Sequence, residues 1–143
     1  MSIETNKATV RRCLEQVIGE GRAYLVEEFL AEGIELHGTG LAPGMAKIEE
    51  WLTMLAAAFP DRQLTIDDMV AEGDRVVARV TVTGKHLGAI QGIPATGRSI
   101  SQPCITIFRM ANARIAEGWF AADNLSMMQQ LGVIPAPRIS REL

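Results

Sequence analysis

The stretch EGWFAADN, residues 117–124, ends an apolar run on an aspartate, Asp123, four residues after Trp119. Strand parity places Ile115, Glu117, Trp119, Ala121 and Asp123 on one face, provided no bulge intervenes. A carboxylate beside an indole loses solvation, which disfavours its charged form and raises its pKa. Such a group can take a proton and return it near neutral pH. The same position admits a second reading. Asp123 stands just before Leu125-Ser126-Met127, where a side chain that caps a helix N-terminus is expected. Residue pattern alone leaves both readings open.

The chain has two histidines, His37 and His86. With Glu35 or Asp123 they could form a two-histidine, one-carboxylate metal site. Their spacing does not demand one, and hydrogen bonding at a pocket mouth is the other reading. Several motifs are absent. Without a G-x-S-x-G sequence, His37-Gly38-Thr39-Gly40 is not the oxyanion loop of a serine hydrolase. There is no phosphate-binding glycine loop and no CxxC pair. Asn124-Leu125-Ser126 matches a glycosylation sequon and is read as chance.

Elements must position these side chains. Val10, Cys13, Leu14, Val17 and Ile18 recur at helical spacing and predict a helix over residues 4–18, ended by Gly19 and Gly21. A second helix is expected over 23–30 and a short strand over 34–37. Gly38, Gly40, Pro43 and Gly44 make a loop. A third helix carries Ile48, Trp51, Leu52, Leu55 and Phe59. Strands are then expected over 64–72, 75–85, 99–110 and 114–123, with a closing helical turn over 125–131. In the strand over 75–85, Val76, Ala78, Val80 and Val82 share one face. Pro103 implies an edge position or a bulge. Helices first and antiparallel strands second indicate an α+β fold with helices on one face of a sheet. The other face would leave Val77, Ile105 and Ile107 as apolar surface, so a homodimer or higher homo-oligomer is expected.

With 143 residues, one domain over 1–143 is expected, its tail 135–143 mobile. A net charge of −3 argues against a nucleic-acid partner, which needs a basic face. The most apolar run, WLTMLAAAF, is too short to span a bilayer, so no membrane partner is expected. Cys13 and Cys104 fall on apolar-patterned segments and read as two buried thiols in a reducing compartment. No apolar stretch of a secretory signal follows the start, and a cytoplasmic protein is the expectation.

Residues 84–101, GKHLGAIQGIPATGRSIS, separate two strand patterns by about a dozen residues where a hairpin needs two. A loop of that size is often functional, and a packed surface loop is the plain alternative.

NKATVRRCLEQVIGEG, the histidine of IELHG, the segment AAFPDRQLTIDDMVAEGDRVVARVTVTGKHLGAIQGIPATGRSI and IAEGWFAADNLSMMQQLG together resemble the SnoaL-like polyketide cyclases of the NTF2-like superfamily. The resemblance spans roughly residues 5 to 133. It implies a cone, a curved antiparallel sheet wrapped around the N-terminal helices, with an apolar pocket inside. The long loop would sit at the pocket rim, with Ile90, Ile93 and Pro94 folded over the opening. In the cyclases an aspartate at the end of the last strand is the acid/base, and Asp123 matches it. The implied reaction is an intramolecular aldol closure of an apolar, carbonyl-rich small molecule, with no metal or organic cofactor. Trp119, His37, His86, Gln102, Asn124, Tyr24 and Ile93 are the candidate substrate-binding residues, none of them secured by spacing. Relatives carry E-H-W where this chain has Glu117-Gly118-Trp119; on parity residue 118 faces away from Asp123. A non-catalytic module binding an apolar ligand, or an isomerase or epoxide hydrolase on the same fold, are the alternatives. The hydrolase would need paired carboxylates with a basic residue beside them in the pocket; Arg79 is the nearest candidate, and it is expected on an outward or rim face.

Overall fold

A computed structural model describes residues 2–39 and 43–136. Gly40 of the expected loop and the tail from residue 137 lie outside the described residues.

The first helix, α1, spans Ile3–Arg12, and Ser2 caps it by accepting the Thr5 N–H at 3.0 Å. The expected single helix over 4–18 changes pitch at Cys13 and continues to Gly19 as a wider π-helical segment. The Glu20 N–H there reaches back five residues to the Glu15 carbonyl. Arg62 holds this end in place, its Nε donating to the Ile18 carbonyl at 2.8 Å. Val10, Cys13, Leu14 and Val17 are buried, as their spacing predicts.

The expected helix over 23–30 is a short 3-10 turn, Ala23–Leu25, followed by α2, Val26–Phe29. Leu30 already opens strand β1, Leu30–His37. Helix α3 spans Met45–Ala58. Strands β2 (Gln63–Glu72), β3 (Arg75–Lys85), β4 (Ser99–Ala111) and β5 (Arg114–Ala122) follow, and α4 (Asn124–Gln130) closes the fold. The sheet is curved, with strand order β1-β5-β4-β3-β2. Strands β2 to β5 pair antiparallel as expected, whereas β1 lies parallel to β5. More than half the chain intervenes between β1 and β5, so no hairpin dictates their relative direction.

Pro103 is in neither an edge strand nor a bulge. It lies inside β4, paired with Thr81 of β3. Its carbonyl accepts the Asp123 N–H at 3.1 Å, just past the end of β5. In an antiparallel ladder a residue's N–H and C=O point the same way. The missing N–H therefore faces the place where β5 has stopped, and one ladder bond is forgone there.

The concave face of the sheet packs on the helices. Val76, Ala78 and Val80 of β3, with Phe108 and Met110 of β4, meet Leu14, Val17, Ile48 and Leu52. Each such burial contributes about 1.5–3 kcal/mol. A smaller cluster of Phe59, Ile90, Ile100, Met127 and Leu131 lies beneath the long loop. His86 and Arg98 pin the loop ends, with His86 N–H on the Arg98 carbonyl and Gly97 N–H on the His86 carbonyl, both at 2.8 Å. Inside, Ile90 and Ile93 pair across a tight turn at Gln91-Gly92, both with positive φ. At Gly88 a Cβ would run into the carbonyl of Ala57, so this glycine lets the loop lie directly on the end of α3.

Candidate functional site

A cavity of about 170 Å³ lies between the concave face and the helices. The π-helical segment contributes Leu14 and Ile18, helix α3 contributes Trp51, Met54 and Leu55, and the long loop contributes Ile90 and Gln91. The sheet adds Val80 and Val82, Phe120 and Ala122, and a row along β4 of Ile100, Gln102, Cys104 and Thr106. That row is the two-residue alternation of a strand with one face inward. Gly38, with φ +86°, also lines the wall, and a Cβ there would strike the Phe120 carbonyl.

Polar groups in the wall are few. At the exposed rim Gln102 Nε2 donates to Asn124 Oδ1 at 3.0 Å. Thr39 Oγ1 donates to the Leu36 carbonyl at 2.8 Å. Thr106 is 1% exposed, and its hydroxyl has no hydrogen-bond partner among the described residues. Cys104 is the one ionisable side chain in the described wall, and burial pushes its thiol up, against a weaker effect from the Ala121 backbone. Cys13, deeper in the core, is pushed up to about 12 by burial. Both cysteines are free thiols; Cys13 is buried and Cys104 half-buried.

Of the residues singled out in the sequence, Gln102 and Asn124 line the cavity. Asp123 is exposed and is the N-cap of α4, its Oδ1 accepting the Ser126 N–H at 3.0 Å. It stands between Ala122 and Asn124, both in the wall. The parity reading needs correction at Ala116. The register of β5 against β4 slips there, so Ile115 is fully buried while Glu117 and Trp119 face the other way. Trp119 lies on the convex side of the sheet, stacked on His37 at 5.3 Å with the Arg75 guanidinium 5.0 Å from its ring. Asp123 is exposed, so the indole does not enclose it. Gly118 faces inward, opposite to Trp119 and contrary to the expectation that the Asp123 face of β5 is the pocket face, and a Cβ there would meet Leu36 and Phe108 at 2.9 and 3.0 Å.

The two histidines are not brought together. His86 is fully buried behind Phe59, and its Nδ1 accepts the Thr96 N–H at 3.1 Å, clamping the long loop. Accepting there fixes the tautomer with the proton on Nε2. Ile93 packs in the small cluster under the loop rather than in the wall, and Tyr24 is 78% exposed. Arg79 meets Asp68 at 3.3 Å and Asp67 at 3.7 Å, and none of the three lines the cavity.

On the convex side His37 Nε2 lies 2.6 Å from Glu117 Oε2 and 3.8 Å from Glu35 Oε2. The hydrogen bond to His37 holds the Glu117 carboxyl below its usual range, with Arg109 adding to the effect at 3.2 Å and desolvation opposing it. Ligand atoms of Glu35, His37 and Glu117 all lie within 4.8 Å of one another, with the arginine on one carboxylate oxygen.

The wall residues that sequence reading missed are Thr39, Gln91 and Thr106. Thr106 was within reach, because counting by twos from Gln102 passes through Cys104 to Thr106. Gln91 was not, since its place depends on a turn with positive φ. Among the described residues no helix is long and apolar enough to cross a membrane.

The chain is 29% identical over 111 residues to the aklanonic acid methyl ester cyclase DauD of Streptomyces sp. (strain C5), covering 76% of this chain and 68% of that one. The fold superposes on TsrD from Streptomyces laurentii with a TM-score of 0.86 at 29% identity, covering 94% of this chain and 99% of TsrD. It superposes on IdmH from Streptomyces antibioticus with a TM-score of 0.75 at 30% identity, covering 89% and 98%. The family model of the SnoaL-like polyketide cyclases matches residues 8–131, nearly the full span of helices, sheet and cavity wall, and the chain belongs to that family.

Proposed function

We propose that the cavity holds an apolar, carbonyl-bearing small molecule and that the protein closes a ring in it by an intramolecular aldol reaction. The observation that carries this reading is an apolar cavity with a short row of polar groups along β4, inside a chain similar to a methyl ester cyclase. In this reading Asp123 is the acid/base. Its carboxylate removes a proton from a carbon between two carbonyl groups. The enolate carbon attacks a carbonyl carbon of the same molecule, forming the C–C bond. The resulting alkoxide takes the proton back from the carboxylic acid. Flanking carbonyls stabilise the enolate, so the step calls for no cofactor. The protein contributes orientation and exclusion of water. Asp123 is not itself a wall residue, and it borders the cavity only through its neighbours Ala122 and Asn124.

A ring closure of this kind conserves mass. The test is incubation of a polyketide methyl ester with the protein, with and without EDTA, followed by chromatography. A product of unchanged mass and altered absorbance is expected in both arms. Loss of turnover in EDTA, restored by zinc, would return attention to Glu35, His37 and Glu117.

A second reading is a non-catalytic binding module. It is favoured by a wall with no carboxylate or histidine among its described residues, and by the capping bond of Asp123. We also propose a homodimer through the convex face, where Val70 is 63% and Ile105 49% exposed.

A further inference from the structure

We propose that Thr106, in the cavity wall, binds an oxygen atom of the ligand. This rests on the reading of the cavity as a small-molecule site.

Buried hydroxyls are nearly always hydrogen-bonded, because leaving one unpaired forfeits its hydration for nothing. Thr106 departs from that rule. It is buried, its Oγ1 has no partner among the described residues, and it forms part of the cavity wall. Its cross-strand neighbours cannot help, being Ala78 on β3 and Phe120 on β5. The inward positions beyond it on β4 are Phe108 and Met110, both in the core. A valine would fill the same space in this apolar setting with no polar atom to satisfy. Thr106 is part of the cavity wall, and a ligand atom that reaches its hydroxyl can complete it.

The chemistry of the partner follows from the surroundings. A hydroxyl with Ala78 and Phe120 as cross-strand neighbours favours a neutral acceptor such as a ketone oxygen; a charged group would find no counter-ion in the described wall. Size narrows it further. An apolar cavity of about 150 Å³ takes one benzene ring, and this one is about 170 Å³. The enclosed part therefore suits a single ring bearing a carbonyl. The Gln102–Asn124 pair stands at the rim four residues back along β4, about 13 Å in extended strand. A longer molecule would thus meet polar groups at both ends and apolar wall between them.

The test uses acetophenone and ethylbenzene, a ring with and without the oxygen, titrated calorimetrically into the full chain and into Thr106→Val and Thr106→Ser. Wild type should prefer acetophenone. Thr106→Val should lose about tenfold in acetophenone affinity, or about 1.4 kcal/mol, and keep its ethylbenzene affinity. Thr106→Ser, which retains the hydroxyl, should keep the preference. Equal acetophenone binding by wild type and Thr106→Val overturns the inference and leaves the cavity reading standing. Binding of neither probe by wild type overturns both. Should Thr106→Val fail to fold, the other two proteins decide, and absence of the ketone preference in either overturns the inference.

Discussion

Asp123 and Ser126 are joined by a 3.0 Å bond from the serine N–H to the aspartate Oδ1, which closes the first turn of α4. The carboxylate proposed as the acid/base is a helix cap, and two substitutions separate the roles. Asparagine caps as well as aspartate but cannot exchange a proton at neutral pH. Asp123→Asn should keep its melting temperature and lose turnover about a hundredfold or more. Asp123→Ala should lose turnover and also about 1 kcal/mol of stability. Thermal melts beside the ring-closure assay check both. Unchanged turnover in Asp123→Asn would put the binding module in front.

Gly118 stands where the family resemblance implies a histidine before the tryptophan. Its inward direction brings any Cβ against Leu36 and Phe108. Gly118→His should destabilise the protein by roughly 1–3 kcal/mol, the usual range for an overpacked core. Urea unfolding measures this. Gly118→His should not raise turnover, because Leu36 and Phe108 already fill the space at Gly118, which is not part of the cavity wall.

Glu117 supplies a pH dependence. Its folded-state pKa is depressed, so its contribution to stability is present above the unfolded value and lost as pH falls through the folded one. Wild type should melt above Glu117→Gln at pH 7. The gap should shrink as pH drops below the ordinary glutamate value of 4.5. Melting curves of both proteins between pH 7 and pH 3 report it, and a pH-independent gap would show that the His37 contact is not the cause.

The convex face tests the assembly. Ile105→Lys places a charge amid exposed apolar surface and should leave stability within about 0.5 kcal/mol. Sedimentation equilibrium at micromolar concentration should show a dimer for wild type and a shift towards monomer for Ile105→Lys. A wild-type monomer would remove the proposal.

Period-3.6 and period-2 patterns made most of the fold legible. Val10 to Val17 announce a buried helical face, and the alternation through Val76, Ala78 and Val80 names the inward side of β3. Single-residue irregularities were not legible. The slip at Ala116 reverses the parity count and carries Trp119 to the convex side. Pro103 is tolerated because β5 ends opposite it, a fact of tertiary pairing. For the site, Gln102 and Asn124 were found from polar type near strand ends. His37, His86 and Tyr24 have the same polar types, and only three-dimensional packing directs them elsewhere.

Strand β4 presents two independent texts along one stretch of chain. Gln102, Cys104 and Thr106 look into the cavity, while Ile105 and Ile107 lie on the convex side between them. Variation at the even positions can retune what the protein holds without altering the outer surface. Variation at the odd positions can remodel that surface without altering the interior. An engineer could randomise one register and leave the other untouched. An insertion of one residue in β4 would exchange the two sets wholesale, placing isoleucines inside and polar groups outside.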